Sequence, residues 1–128
     1  MKYLTIEEIL FMHHRLLVEL QPDNEDFTIL NPGYLEAAIA RPQQSAFGQD
    51  AYHDAYSKAA ALTESLIGNH CFQDGNKRIG ITAGIVFLIN SGFQNNASQD
   101  DVVEAAMNTA NGEWKFEKLR TWFEQNFY

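Results

Sequence analysis

Apolar residues recur along this chain at helical spacing, and no run sustains the period-two alternation of a half-buried strand. Thr5 and Glu8 form a capping-box pair. After them Ile6, Ile9, Leu10, His13, Leu17 and Leu20 fall on one stripe, which predicts a first helix ending before Pro22. Residues 23–27 are polar and read as a loop. Asn31 is placed to cap a second, short helix with Pro32 at its first position. That helix is expected to bury Tyr34, Leu35, Ala38 and Ile39 and to stop near Arg41-Pro42. Residues 43–49 read as a connector around Phe47.

An alanine-rich stretch over about residues 51–67 predicts a third helix. Ala55, Ala59, Leu62 and Leu66 share one face, Tyr52, Tyr56, Thr63 and Ile67 lie beside it, and Gly68-Asn69 supplies the stop. The fourth helix, about residues 76–91, has apolar residues around nearly its whole circumference, which is the mark of a helix enclosed by others. Ser98 starts a fifth helix that runs to Ala110. Trp114, Leu119, Trp122, Phe123 and Phe127 make a sixth, aromatic one. The pattern therefore predicts an all-α fold: a compact bundle of about six helices around the apolar fourth, with residues 1–128 as one domain.

Charge narrows the function classes. Nine basic against 17 acidic residues leave a net charge of −8. Direct nucleic-acid binding needs clustered cations that release counterions, and anionic membrane surfaces attract basic segments, so both are disfavoured. The one cysteine, Cys71, excludes an internal disulfide and a cysteine zinc site. Acidic residues stand where a signal peptide would have its apolar core, and the longest apolar stretch is too short to span a bilayer. A cytoplasmic location is the expectation.

The chemistry concentrates between the third and fourth helices, in His70-Cys71-Phe72-Gln73-Asp74-Gly75-Asn76-Lys77-Arg78. His70 can accept a proton near neutral pH. Asp74 offers hard oxygen ligands suited to Mg²⁺. Gly75 permits a positive φ and close backbone approach. Asn76 can cap the helix or donate its amide to a phosphate oxygen. Lys77 and Arg78 place cations at a helix amino end, where the macrodipole alone would favour anions; a bound polyanion relieves that conflict. A base, a metal-grade carboxylate and an anion cradle in one loop point to phosphate chemistry.

HCFQDGNKR resembles the signature of the Fic/Doc family, a histidine followed by x-Phe-x-Asp/Glu-Gly-Asn-Gly/Lys-Arg, and meets all seven of its restricted positions. YLEAAIARPQQSAFG, KAAALTESLIGNH and the opening helix with its histidine are similar to the Doc (death-on-curing) branch, so the likeness extends over roughly residues 5–92. The resemblance implies an all-α, Fic/Doc-like fold and assigns His70 as general base and Asp74 as holder of Mg²⁺. Gly75, Asn76, Lys77 and Arg78 fall at the nucleotide phosphates. Adenylylating members have glycine after the asparagine and a second arginine three residues beyond the first; Lys77 and Ile81 stand there, which is the Doc pattern. That pattern implies a Mg²⁺- and ATP-dependent kinase acting on a threonine or serine hydroxyl of a target such as elongation factor Tu, thereby halting translation, and paired with a cognate antitoxin. Adenylylation of a target hydroxyl and a non-catalytic phosphate- or peptide-binding module remain the alternatives.

The chain also departs from the Doc pattern. Cys71 follows the histidine where Doc proteins commonly have proline, and residues 28–42 lack an Arg-Asp-x-Gly-Leu-Leu string. Outside the loop, His13 reads as a hydrogen-bonded residue on the apolar stripe and His53 as a solvated one. Residues 43–47 are either the edge that aligns an extended target segment or a plain surface loop.

Overall fold

The computed structural model describes residues 2–23 and 25–128. Among them run α1 (Ile6–Leu20), α2 (Pro32–Ala40), α3 (Ala55–Gly68), α4 (Asn76–Asn90), α5 (Gln99–Ala110) and α6 (Phe116–Asn126). A short 3₁₀ turn, Arg41–Gln43, follows α2. It leads into a two-stranded antiparallel hairpin, β1 (Ser45–Ala46) and β2 (Gln49–Asp50). The fold is all-α apart from this hairpin.

The helices start where the local chemistry says they should. Thr5 and Glu8 close both halves of a capping box on α1, and Ser98 and Asp101 do the same on α5. The third helix begins later than its alanine content suggests. Asp54 takes the cap position, its Oδ1 accepting the Ser57 N–H at 2.8 Å, so residues 51–53 stay outside the helix. The Arg120 guanidinium then reaches Asp54 Oδ2 at 3.0 Å and ties α6 to the start of α3. Burial alone would raise the Asp54 carboxyl pKa, but the Ser57 N–H and Arg120 outweigh it and hold the group below its ordinary range.

Helices α3 and α4 share the centre. Almost all of α3 is buried, as are Ile79, Ile81, Ala83, Phe87 and Leu88 of α4, while Ile89 at its far end is exposed. Two glycines let these helices touch. A Cβ on Gly84 would run into Thr63 Oγ1 and lie 2.8 Å from Phe123 Cζ. One on Gly80 would run into Ile67 Cγ1 and lie 3.2 Å from the Thr63 carbonyl oxygen, and the Thr63 hydroxyl donates to the Gly80 carbonyl at 2.8 Å. Phe123 and Phe127 close the core from α6, and a backbone bridge between Asn95 and Phe127 fastens the carboxyl end.

Two expectations about the surface need correction. Tyr34 is 58% exposed; α2 is short and buries only Leu35 and Ala38, one helical turn apart. Residues 43–49 are not a featureless connector. Phe47 (φ 55°) and Gly48 (φ 77°) form a two-residue turn with both φ positive, and the hairpin grows from it. Buried Lys58 of α3 anchors its base, donating to the Pro42 carbonyl at 3.2 Å and to Asp50 Oδ2 at 3.4 Å. No helix among the described residues is long and apolar enough to cross a membrane.

Candidate active site

The segment from His70 to Gly75 leaves the end of α3 and enters α4, so the two most enclosed helices fix both of its ends. Its middle is pinned by backbone bonds to residues 28–31. The Cys71 carbonyl accepts from Leu30 N (2.9 Å) and Asn31 N (3.3 Å), and Gln73 N donates to the Thr28 carbonyl (3.0 Å). The Phe72 side chain plugs the core at 1% exposure, and Cys71 is fully buried. Burial pushes the Cys71 thiol pKa up, so the residue that replaces proline is an inert filler, not a nucleophile.

His70 is exposed, with φ at 48°. This left-handed conformation costs a non-glycine residue roughly 1–2 kcal/mol and persists only where the surroundings impose it. Asn31 helps impose it. Its Nδ2 donates to the His70 carbonyl at 3.1 Å, and its side chain makes no capping bond to α2 although it holds the cap position. The expected cap is thus diverted to the histidine.

Gly75 occupies the cap position of α4 in the left-handed region (φ 82°), and no side chain among the described residues caps the helix. The first N–H groups of α4 therefore lack both intrahelical and capping partners. Lys77 and Arg78 are exposed on this first turn. Asp74 Oδ1 accepts the Gly75 N–H at 2.8 Å, and Oδ2 has no partner among the described residues. Asn76 is turned inward: its Oδ1 accepts the Phe72 N–H at 3.0 Å and its Nδ2 donates to the Phe72 carbonyl at 2.8 Å. Its side-chain amide shapes the loop, and only its backbone faces the open helix end. The structure thus brings His70, Asp74, Gly75, Asn76, Lys77 and Arg78 onto one short loop and helix start.

A family model described as the Fic/DOC family matches residues 3–88. The chain belongs to the Fic/DOC family. It is 48% identical over 77 residues to the protein named Toxin Doc of Mycolicibacterium smegmatis (strain ATCC 700084 / mc(2)155), which covers 59% of each chain. It thus spans about three-fifths of that relative's length. Fic/DOC proteins are generally transferases of phosphate or nucleotide. The matched span takes in α1 to α4 and the whole loop, whereas α5 and α6 lie beyond it.

The donor set of this Fic/DOC loop suits Mg²⁺ bound together with a nucleotide. Among the described residues no group of three His, Cys, Asp or Glu side chains could hold a metal alone. One free carboxylate oxygen beside an uncapped helix end matches an ion that takes most of its remaining ligands from phosphates and water. Beside Lys77 and Arg78 opens a cleft of about 270 Å³ floored by Leu16, Leu20, Ile81, Val102 and Met107. It lies between α1, α4 and α5, and only the packing of these three helices creates it. Asn31 and the backbone of residues 28–30 were invisible as site residues in the sequence, because backbone bonds leave no compositional trace.

Proposed function

We propose that this chain is a Doc-type toxin: a Mg²⁺- and ATP-dependent kinase that transfers the γ-phosphoryl group to a threonine or serine hydroxyl of a protein target such as elongation factor Tu. The observation that carries this reading is the uncapped amino end of α4 behind a left-handed Gly75. Exposed Lys77 and Arg78 stand on that first turn, and His70 and Asp74 lie in the same loop.

The division of labour follows from the residues. The free N–H groups of α4, with Lys77 and Arg78, hold and neutralise phosphate oxygens. Asp74 Oδ2 is available for the metal, and Mg²⁺ when bound neutralises charge that develops between the phosphates. His70, exposed in the same loop, takes the proton of the attacking hydroxyl at its imidazole nitrogen. Phosphoryl transfer asks little else of a protein than positioning and charge stabilisation. The apolar cleft beside the two cations suits an antitoxin segment with an apolar ridge and acidic flanks.

Lysine at position 77 in place of glycine favours γ- over α-transfer, and two labels decide. ATP labelled on the γ-phosphate is expected to mark the target and ATP labelled on the α-phosphate to leave it unmarked; the reverse establishes an adenylyltransferase. His70→Ala is expected to slow transfer by roughly 10²–10⁴-fold and to abolish growth arrest on expression in bacteria. Growth arrest that persists in this variant would replace the enzyme with a binding module.

A further inference from the structure

We propose that His13, outside the motif, is a positioning residue that orients the Asp74 carboxylate and the open end of α4 through one hydrogen bond to the Asp74 carbonyl. The inference rests on the transferase reading above for what the carboxylate does, but not for the bond itself.

His13 lies on the buried stripe of α1 between Ile9 and Leu17, and it is 2% exposed. An apolar side chain would fill such a slot without the desolvation cost of an imidazole. The ring instead makes three contacts with the loop. It stacks on Phe72 with centroids 3.7 Å apart and planes 15° from parallel. It abuts Gly75, where a Cβ would lie 3.5 Å from both Cδ2 and Nε2. Its Nε2 stands 2.8 Å from the Asp74 carbonyl oxygen.

A carbonyl oxygen only accepts, so Nε2 carries the proton in this contact. Burial, the largest influence on the ring, lowers its pKa, and the hydrogen bond to the Asp74 carbonyl opposes it. The carbonyl of Asp74 and the N–H of Gly75 belong to one planar peptide unit. Holding the first therefore aims the second, and the Gly75 N–H is the group that binds Asp74 Oδ1. A single donor on α1 thus sets the orientation of the peptide plane, the carboxylate and the left-handed residue that starts α4. Partners that orient a metal-binding group in this way typically change affinity roughly 10–100-fold when removed.

Two substitutions separate this role from packing. His13→Phe keeps the stacking area and removes the donor; His13→Gln keeps an N–H donor of similar reach. His13→Phe is expected to weaken Mg²⁺-dependent ATP binding in titration calorimetry about tenfold, to leave ATP binding without Mg²⁺ nearly unchanged, and to shift the Gly75 amide resonance. His13→Gln is expected to stay within about twofold of wild type in the same Mg²⁺-ATP titration.

Imidazole nitrogen shifts of the wild-type protein give a readout that needs no variant. The Nε2–H tautomer supports the inference, and the Nδ1–H tautomer overturns it. Unchanged Mg²⁺-ATP affinity and an unmoved Gly75 amide in His13→Phe overturn it as well. If wild type itself binds no Mg²⁺-ATP, the transferase reading falls, while the tautomer and the Gly75 resonance still decide the role of His13.

Discussion

Asn76 meets one backbone unit with both of its side-chain atoms, accepting from the Phe72 N–H and donating to the Phe72 carbonyl. Phe72 is buried, so water does not replace either partner. Leaving a buried backbone group unpaired costs about 1–3 kcal/mol. Asn76→Ala is therefore expected to lower the unfolding free energy by about that amount in urea denaturation, with no nucleotide present. A residue whose amide served only a ligand would leave the apo protein's stability unchanged. Aspartate at the same position keeps the acceptor and loses the donor, so it separates the two bonds.

Among the elements, the hairpin between α2 and α3 is the least favourable to its own sequence. Its turn requires positive φ at both central residues, and Asn-Gly is the pair that tolerates this best. Phe47 holds the first of these positions with a fully solvent-exposed ring. Phe47→Asn is expected to stabilise the protein by on the order of 1 kcal/mol in the same denaturation assay. A loss of stability would mean that the ring packs on the protein in solution. The strands themselves contribute little; Lys58 holds the hairpin to α3 through Pro42 and Asp50, so its base is firm and its tip is free.

At the scale of the whole molecule, the Asp54–Arg120 pair links the amino end of α3 to α6 and makes stability depend on pH. The Asp54 carboxyl is held below its ordinary value of 3.8 in the folded protein. Around that value the unfolded chain binds more protons than the native state, so stability rises with pH there. The contribution is complete above the unfolded pKa and fades as pH falls through it toward the lower folded one. Asparagine caps a helix as well as aspartate does, so Asp54→Asn isolates the charge. Wild type is expected to exceed this variant by about 0.2–1 kcal/mol at pH 7. Thermal melts from pH 7 to pH 3 should show that margin closing below about pH 4, and a margin independent of pH would remove Asp54 as its source.

The sequence by itself determined the helices and the chemistry of the loop. Helical periodicity, capping boxes at Thr5 and Ser98, and stops at Gly68-Asn69 and Gly92 are local effects, carried by bonds that span three or four residues. The same locality made HCFQDGNKR legible as a candidate anion site, because all its residues are neighbours in the chain. Tertiary structure alone decided what lies opposite. Nothing local turns Asn31 from its own helix to the His70 carbonyl, delivers His13 to the Asp74 carbonyl across 61 residues, or opens a cleft between α1, α4 and α5. Those relations depend on how closely α3 and α4 approach at Gly80 and Gly84, and on where α1 packs against them. They are properties of volumes meeting in space, which residue spacing along a chain does not encode.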